Sequence, residues 1–208
     1  MKLDAEKLAW LRLARTDTIG PITFYRLLQK YKTATHTIEV LPAIARNKPF
    51  TICSSDNALR EIDALHKLGG YMIFKGDDIY PNNLAAIEDA PPVLSIIGQT
   101  KCLNQPSIAI VGSRNASLNG RKLAKHMASH LGAAGHTVTS GLARGIDTAA
   151  HEGALKTGTI AVVAGGVDVV YPRENTDLYK SICEQGAVMS ACALGMQPIA
   201  QHFPKRNR

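Results

Sequence analysis

Within twelve positions the chain places Ser140, Gly141, Arg144, Gly145, Asp147 and His151, in the stretch SGLARGIDTAAHEGAL (140–155). These residue types support three different chemistries. A serine, an aspartate and a histidine invite acyl transfer, with Asp147 and His151 four apart and able to share a helix face. Ser140 lies in no GxSxG elbow, however, and Asp147 stands where a helix should open. There its ordinary job is the N-cap, accepting from the amides of Ala149 or Ala150, and His151 reads as a buried, hydrogen-bonded packing residue. The second chemistry is nucleotide binding. A dinucleotide fold wants GxGxxG in its first turn and an acid about 20 residues on. The chain offers GSRNASLNG (112–120), its next strand ends in Ser140, and it has no GxxxxGK[ST] loop. The third chemistry is a cradle for some other phosphate, built from small residues, backbone amides and guanidinium groups.

Metal binding has less support. His126 and His130 are four apart, but no HExxH glutamate accompanies them and Lys125 adjoins them, so they read as solvated helix surface. Cys53, Cys102, Cys183 and Cys192 show no CxxC spacing and read as reduced thiols. Neither a metal nor a cofactor is expected.

The elements that must position these residues follow from the apolar pattern. Residues 1–69 read as a small helical domain, with Leu8, Leu11, Phe24, Leu27 and Leu28 at helix-like intervals around the TIGP turn at 18–21. TIGPITFYRLL resembles a helix-hairpin-helix, or equally a plain glycine-proline helix junction. Residues 70–208 read as a Rossmann-like α/β domain with a mostly parallel sheet. Strands are expected at 71–74, 93–98, 107–113, 137–141, 159–166 and 187–191, and helices at 117–135, 147–158 and 174–186. Ligands of such sheets bind at the carboxyl ends of the strands. Those ends read Gly112-Ser113-Arg114, Ser140-Gly141, Gly165-Gly166 and Ser190. Arg114 and Arg144 follow two of them, Lys205, Arg206 and Arg208 lie in the closing HFPKRNR, and no acid interrupts residues 90–146.

Charge points the same way. Residues 1–104 hold 13 Lys and Arg against 11 acids, whereas residues 105–208 hold 11 against 6, so the excess sits with the glycine-ended strands. No apolar run approaches the roughly 18 residues needed to cross a bilayer, and the N-terminus lacks a signal-peptide pattern. A cytoplasmic protein without a membrane partner is expected.

Four ordered blocks, AIVGSRNAS, SGLARGIDTAAHEGAL, TIAVVAGGVDVVYPRENTDLY and HFPKRNR, resemble the DNA-processing protein A (DprA/Smf) family. The resemblance implies a domain that binds single-stranded DNA without hydrolysing it. It also implies protection of the strand and help in loading RecA recombinase during natural transformation. By match, the phosphate pocket comprises Gly112, Ser113, Arg114, Ser140, Gly141, Arg144 and Gly145, joined by Gly165, Lys205, Arg206 and Arg208. Asp147, His151, Asp168, Tyr171, Pro172 and Asn175 take structural places. The alternative is a nucleotide-binding or nucleotide-hydrolysing Rossmann-like enzyme. The chain departs from the family pattern at SACAL, with Ala191 and Ala193 in place of Glu and Pro, and stops at Arg208, before the portion through which family members form homodimers. A shortened monomer is therefore expected, with strand 187–191 at or beside a sheet edge and the basic tail free.

Overall fold

The computed structural model describes residues 4–44 and 51–207. These fall into two compact units, the first running to His66 and including Met72–Leu94, the second comprising Lys67–Tyr71 and the chain from Ser95 onward.

In the first unit, helices α1 (Ala5–Ala14), α2 (Pro21–Tyr31), α3 (Ala34–Ile44) and α4 (Ser55–Lys67) supply most of the residues. Asp4 caps α1 by accepting from the Lys7 amide at 2.7 Å, and the Glu6 carboxylate accepts from the amides of Ala34 and Thr35 at the start of α3. Gly20 precedes Pro21 at the first position of α2, where a missing N–H costs nothing. The core gathers on Phe24, fully buried and edge-on to Trp10 and Tyr25. Arg15 and Glu61 form a largely buried ion pair at 2.9 Å.

The remaining elements are β1 (Gly70–Phe74), α5 (Asn82–Ala85), β2 (Val93–Gly98), β3 (Ser107–Ala109), α6 (Leu118–Ala133), β4 (Thr137–Ser140), α7 (Ile146–Ala154), β5 (Thr159–Val162), α8 (Thr176–Gln185), β6 (Ala187–Ser190) and α9 (His202–Arg206). The strands form one six-stranded sheet in the order β1-β2-β6-β5-β4-β3. Strands β3 to β6 run parallel, with Val138 opposite Thr159 and Ile160 opposite Ala187; β2 meets β6 antiparallel, Ser95 opposite Ser190. The mostly parallel α/β fold read from the alternation is therefore present. Helix α7 is pinned to the sheet through His151, whose Nδ1 lies 2.7 Å from the Thr159 hydroxyl, which itself donates to the Val138 carbonyl.

Several expectations need correction. Strand β6 is neither an edge nor beside one; it lies between β2 and β5, all four residues buried, and the edges are β1 and β3. Strand 107–113 ends at Ala109, because the chain turns beneath the first turn of α7: a Cβ on Gly112 would sit 2.7 Å from the Ile146 side chain. Strand 159–166 ends at Val162, where the Gly165-Gly166 turn lets the Gly166 amide reach the Met196 carbonyl. Helix 147–158 spans Ile146–Ala154, and helix 174–186 begins as a short 3-10 turn at Arg173–Asn175. The sheet is also not covered throughout, since every residue of β3 is exposed.

Candidate functional site

Asp147, in the first turn of α7, fastens the carboxyl ends of β3 and β4 to each other. Its buried carboxylate accepts from the amides of Gly112 (3.4 Å), Gly141 (3.2 Å) and Ala143 (3.4 Å), so one side chain ties the turn after β3 to the turn after β4. This corrects the helix-cap reading. Gly145 is the cap residue of α7, and Asp147, one position inside the first turn, faces back toward the loops. Ser140 adds a second tie by donating to the Ile110 carbonyl at 2.6 Å. Asn175 adds a third, donating to the Leu142 carbonyl (2.9 Å) and the Thr148 hydroxyl (3.0 Å).

His151 is fully buried. Because Thr159 gives its hydroxyl proton to Val138, it accepts from His151, which fixes the imidazole as the Nδ1–H tautomer. Nε2 is buried without a partner, and burial, reinforced by the positive charge of Arg206, pushes the His151 pKa down to about 3. Ser140, Asp147 and His151 thus direct their hydrogen bonds to three separate sets of partners. They do not form a relay.

Above this frame opens a cavity of about 390 Å³. Its floor is largely backbone, at Gly141, Ala143 and Val163–Gly165, and its walls carry Arg114, Arg144, Arg173, Tyr171 and Phe203. Arg114 places its guanidinium 5.4 Å from the Phe203 ring centre, and Arg206 approaches the same ring at 5.8 Å. Tyr171 and Phe203 lie 6.2 Å apart. Arg144 pairs with Glu174 on the exposed rim, at 2.8 Å between Nη2 and Oε2, and this guanidinium holds the Glu174 carboxyl below its ordinary range.

Arg206 behaves differently from the expected free tail. Its Nη1 donates to the carbonyls of Gly141 (2.7 Å) and Val162 (2.9 Å), bridging β4 and β5. A Cβ on Gly141 would fall 1.8 Å from that nitrogen, so glycine is required for the arginine to enter. Burial lowers the Arg206 pKa, while the charge of Asp147 acts in the opposite direction. The tail is therefore anchored, because two unpaired strand-end carbonyls accept a guanidinium that the single-atom side chain of Gly141 admits. Arg208 lies outside the described residues.

The structure thus brings Arg114, Gly141, Arg144, Gly165, Tyr171 and Pro172 to one cavity. Gly112 and Asp147 lie beneath it, and the backbone of Ser113 and Arg114 packs on Gly145. Ser113 accepts from the Asn115 amide, Lys205 is exposed, and Asp168 holds the Gly195 amide at 2.9 Å. Sequence reasoning missed Arg173, Phe203, Glu174 and the bridging role of Arg206. In the HFPKRNR block the cations are the obvious feature, but an aromatic residue in a chain with only 5% aromatics is itself a signal. Among the described residues, no cluster of three or more His, Cys, Asp or Glu could hold a metal, and no helix is long and apolar enough to cross a membrane.

A family model described as DNA recombination-mediator protein A matches residues 71–208, and one described as a DprA-like N-terminal HHH domain matches residues 4–64. The DNA processing protein DprA of Streptococcus pneumoniae is 44% identical over 134 residues, which cover 64% of this chain and 47% of that protein. Protein Smf of Synechocystis is 30% identical over 221 residues, covering 99% of this chain and 56% of that protein. The X-ray structure of S. pneumoniae DprA matches 100% of this chain and 74% of its own with a TM-score of 0.76 at 28% identity. A solved structure of DNA processing protein A from Helicobacter pylori, described for its unique single-stranded DNA binding mode, matches 66% of this chain and 62% of its own with a TM-score of 0.58 at 30% identity. The chain spans about half the length of the curated relatives it matches.

Proposed function

The chain belongs to the DNA recombination-mediator protein A family, the DprA/Smf proteins, and from that premise we infer that its sheet-end cavity binds single-stranded DNA without hydrolysing it. One observation carries the reading: three arginines and two aromatic rings line a single cavity of about 390 Å³ with a backbone floor. Guanidinium groups suit phosphodiester oxygens, and Phe203 and Tyr171 offer faces to a base. A cavity of this size takes one nucleotide unit at a time, and the strand on either side must run over the rim. The H. pylori relative described for single-stranded DNA binding supports the ligand class. The separate hydrogen-bond partners of Ser140, Asp147 and His151 support a binding role over a hydrolytic one. By family membership, the role extends to protecting incoming strands in the cytoplasm and to helping RecA load on them.

The test is a titration with a labelled oligonucleotide beside ATP and NAD at several salt concentrations. Oligonucleotide affinity should fall with salt, by about 0.7 in log–log slope for each phosphate contacted. Arg114→Ala should weaken it by about 1–3 kcal/mol while leaving the melting temperature unchanged. Saturable ATP or NAD binding with no oligonucleotide binding would favour a nucleotide-dependent enzyme instead.

A further inference from the structure

A second concavity, of about 290 Å³, lies between α6 and α7 and is lined by Arg121, Lys122, Lys125, Gly145, Thr148 and Glu152. It adjoins the first. Ala143 and Arg144 line the sheet-end cavity and the next residue, Gly145, lines the second. The crossing is close: a Cβ on Gly145 would lie 2.2 Å from the Ser113 carbonyl oxygen and 2.7 Å from that of Arg114. The two hollows therefore share a rim made of the Ser113–Arg114 and Arg144–Gly145 backbones.

Their chemistry differs. The second hollow has no aromatic residue in its lining. Its three cations face one acid, Glu152, which pairs with Lys125 at 2.9 Å. Arg121 and Lys122 are exposed on α6 and have no ion-pair partner among the described residues. Thr148 is already engaged, donating to the Ala143 carbonyl and accepting from Asn175, so recognition there falls to the cations. Cations without aromatic partners suit a phosphate chain and do not distinguish bases.

We propose that this groove is a second backbone subsite, which takes the phosphates of the same single strand next to the nucleotide held in the sheet-end cavity. The proposal rests on the reading of that cavity as a single-stranded DNA site. The strand crosses the shared rim beside Gly145, which is packed against the Ser113 and Arg114 backbones, and Arg121 and Lys122 hold its phosphates on the far side. Affinity then depends on strand length, because a very short strand fills only the first cavity.

The experiment compares thymidine monophosphate, a single nucleotide unit, with an oligothymidylate of about 20 nucleotides, longer than the site sizes usual for single-strand grooves. They are titrated against the wild-type chain, Arg114→Ala, and the double variant Arg121→Ala with Lys122→Ala. Both double-variant positions are exposed, and a melting curve checks the fold. The expected result is that Arg114→Ala weakens both probes, whereas the double variant weakens only the longer one. Its salt slope for the longer probe should drop by about 1.4, the share of two phosphates on a single strand. If the wild type binds both probes and the double variant matches it in affinity and slope, the second subsite is wrong while the first reading survives. An equal loss on both probes would also overturn it, since the two cations would then belong to the first cavity. If the wild type binds neither probe, both readings fall.

Discussion

Removing the Asp147 carboxylate tests how the site is held together. Three amides, of Gly112, Gly141 and Ala143, point at this one buried group over 3.2–3.4 Å. The bonds are long, so each is assigned about 1 kcal/mol, near the ordinary net worth of a hydrogen bond despite the charge of the acceptor. Asp147→Ala leaves three donors without this acceptor and removes the negative charge that offsets the burial of Arg206. The expected loss is about 3–5 kcal/mol, a large part of the roughly 5–15 kcal/mol that holds a domain together. A helix cap would cost only about 0.5–2 kcal/mol, and serine, itself a good cap, would restore it. Asp147→Ser therefore separates the two accounts. Urea unfolding at neutral pH, followed by far-UV circular dichroism, should find the serine variant nearly as damaged as the alanine one. A serine variant with wild-type stability, or an alanine variant losing less than about 1 kcal/mol, would refute the three-amide clasp.

His151 makes stability depend on pH. Its pKa is 6.5 in an ordinary setting and about 3 when buried here, so the unfolded chain takes up the proton first as pH falls. Stability is intact above pH 6.5 and should decline by about 1.4 kcal/mol per pH unit between 6.5 and about 3. Urea midpoints at pH 7 and pH 5 should differ by the equivalent of about 2 kcal/mol, and His151→Gln should remove that difference; a difference unchanged in the variant would assign it to another group. Gly141→Ala should expel the Arg206 guanidinium and weaken both fold and oligonucleotide binding, by about 1–3 kcal/mol in stability. Combining it with Arg206→Ala should cost less than the two single changes added together, and strict additivity in a double-mutant cycle would show that the two residues do not meet. Phe203→Ala should cost about 1–3 kcal/mol in single-strand affinity, read by fluorescence anisotropy, and no loss would remove base stacking from the reading.

The alternation of apolar strands with helices made the α/β fold legible, because a buried parallel strand and its crossover helix each leave a distinct period in the chain. The glycine-ended strands also lie at the end of the sheet where the cavity opens. Strand lengths were less legible: SIAIVGS is apolar over most of its length, yet only Ser107–Ala109 stays on the ladder, because contact with Ile146 draws the chain away. Strand order was out of reach, since the interior place of β6 depends on its antiparallel partner β2, nearly 90 residues upstream. Spacing placed Asp147 at a helix start but could not show that its partners lie on two other turns. Arg206 raised the same difficulty, since its two carbonyl partners are 65 and 44 residues away.

The glycines under the cavity divide the site into parts that can vary independently. At Gly145 and Gly165 a single added carbon would meet main-chain oxygens at 2.2 and 2.6 Å, and at Gly112 and Gly141 it would meet the Ile146 and Arg206 side chains, so the shape of the floor is set by close packing and tolerates few substitutions. The rim is made of exposed side chains, Arg144, Tyr171 and Glu174 among them, whose replacement leaves the floor where it is. Selection for a different strand composition, length or ionic strength can therefore act on the rim without refolding the base. A directed-evolution library confined to rim positions should yield many folded variants with graded affinities, whereas one confined to the floor should yield few folded variants of any kind.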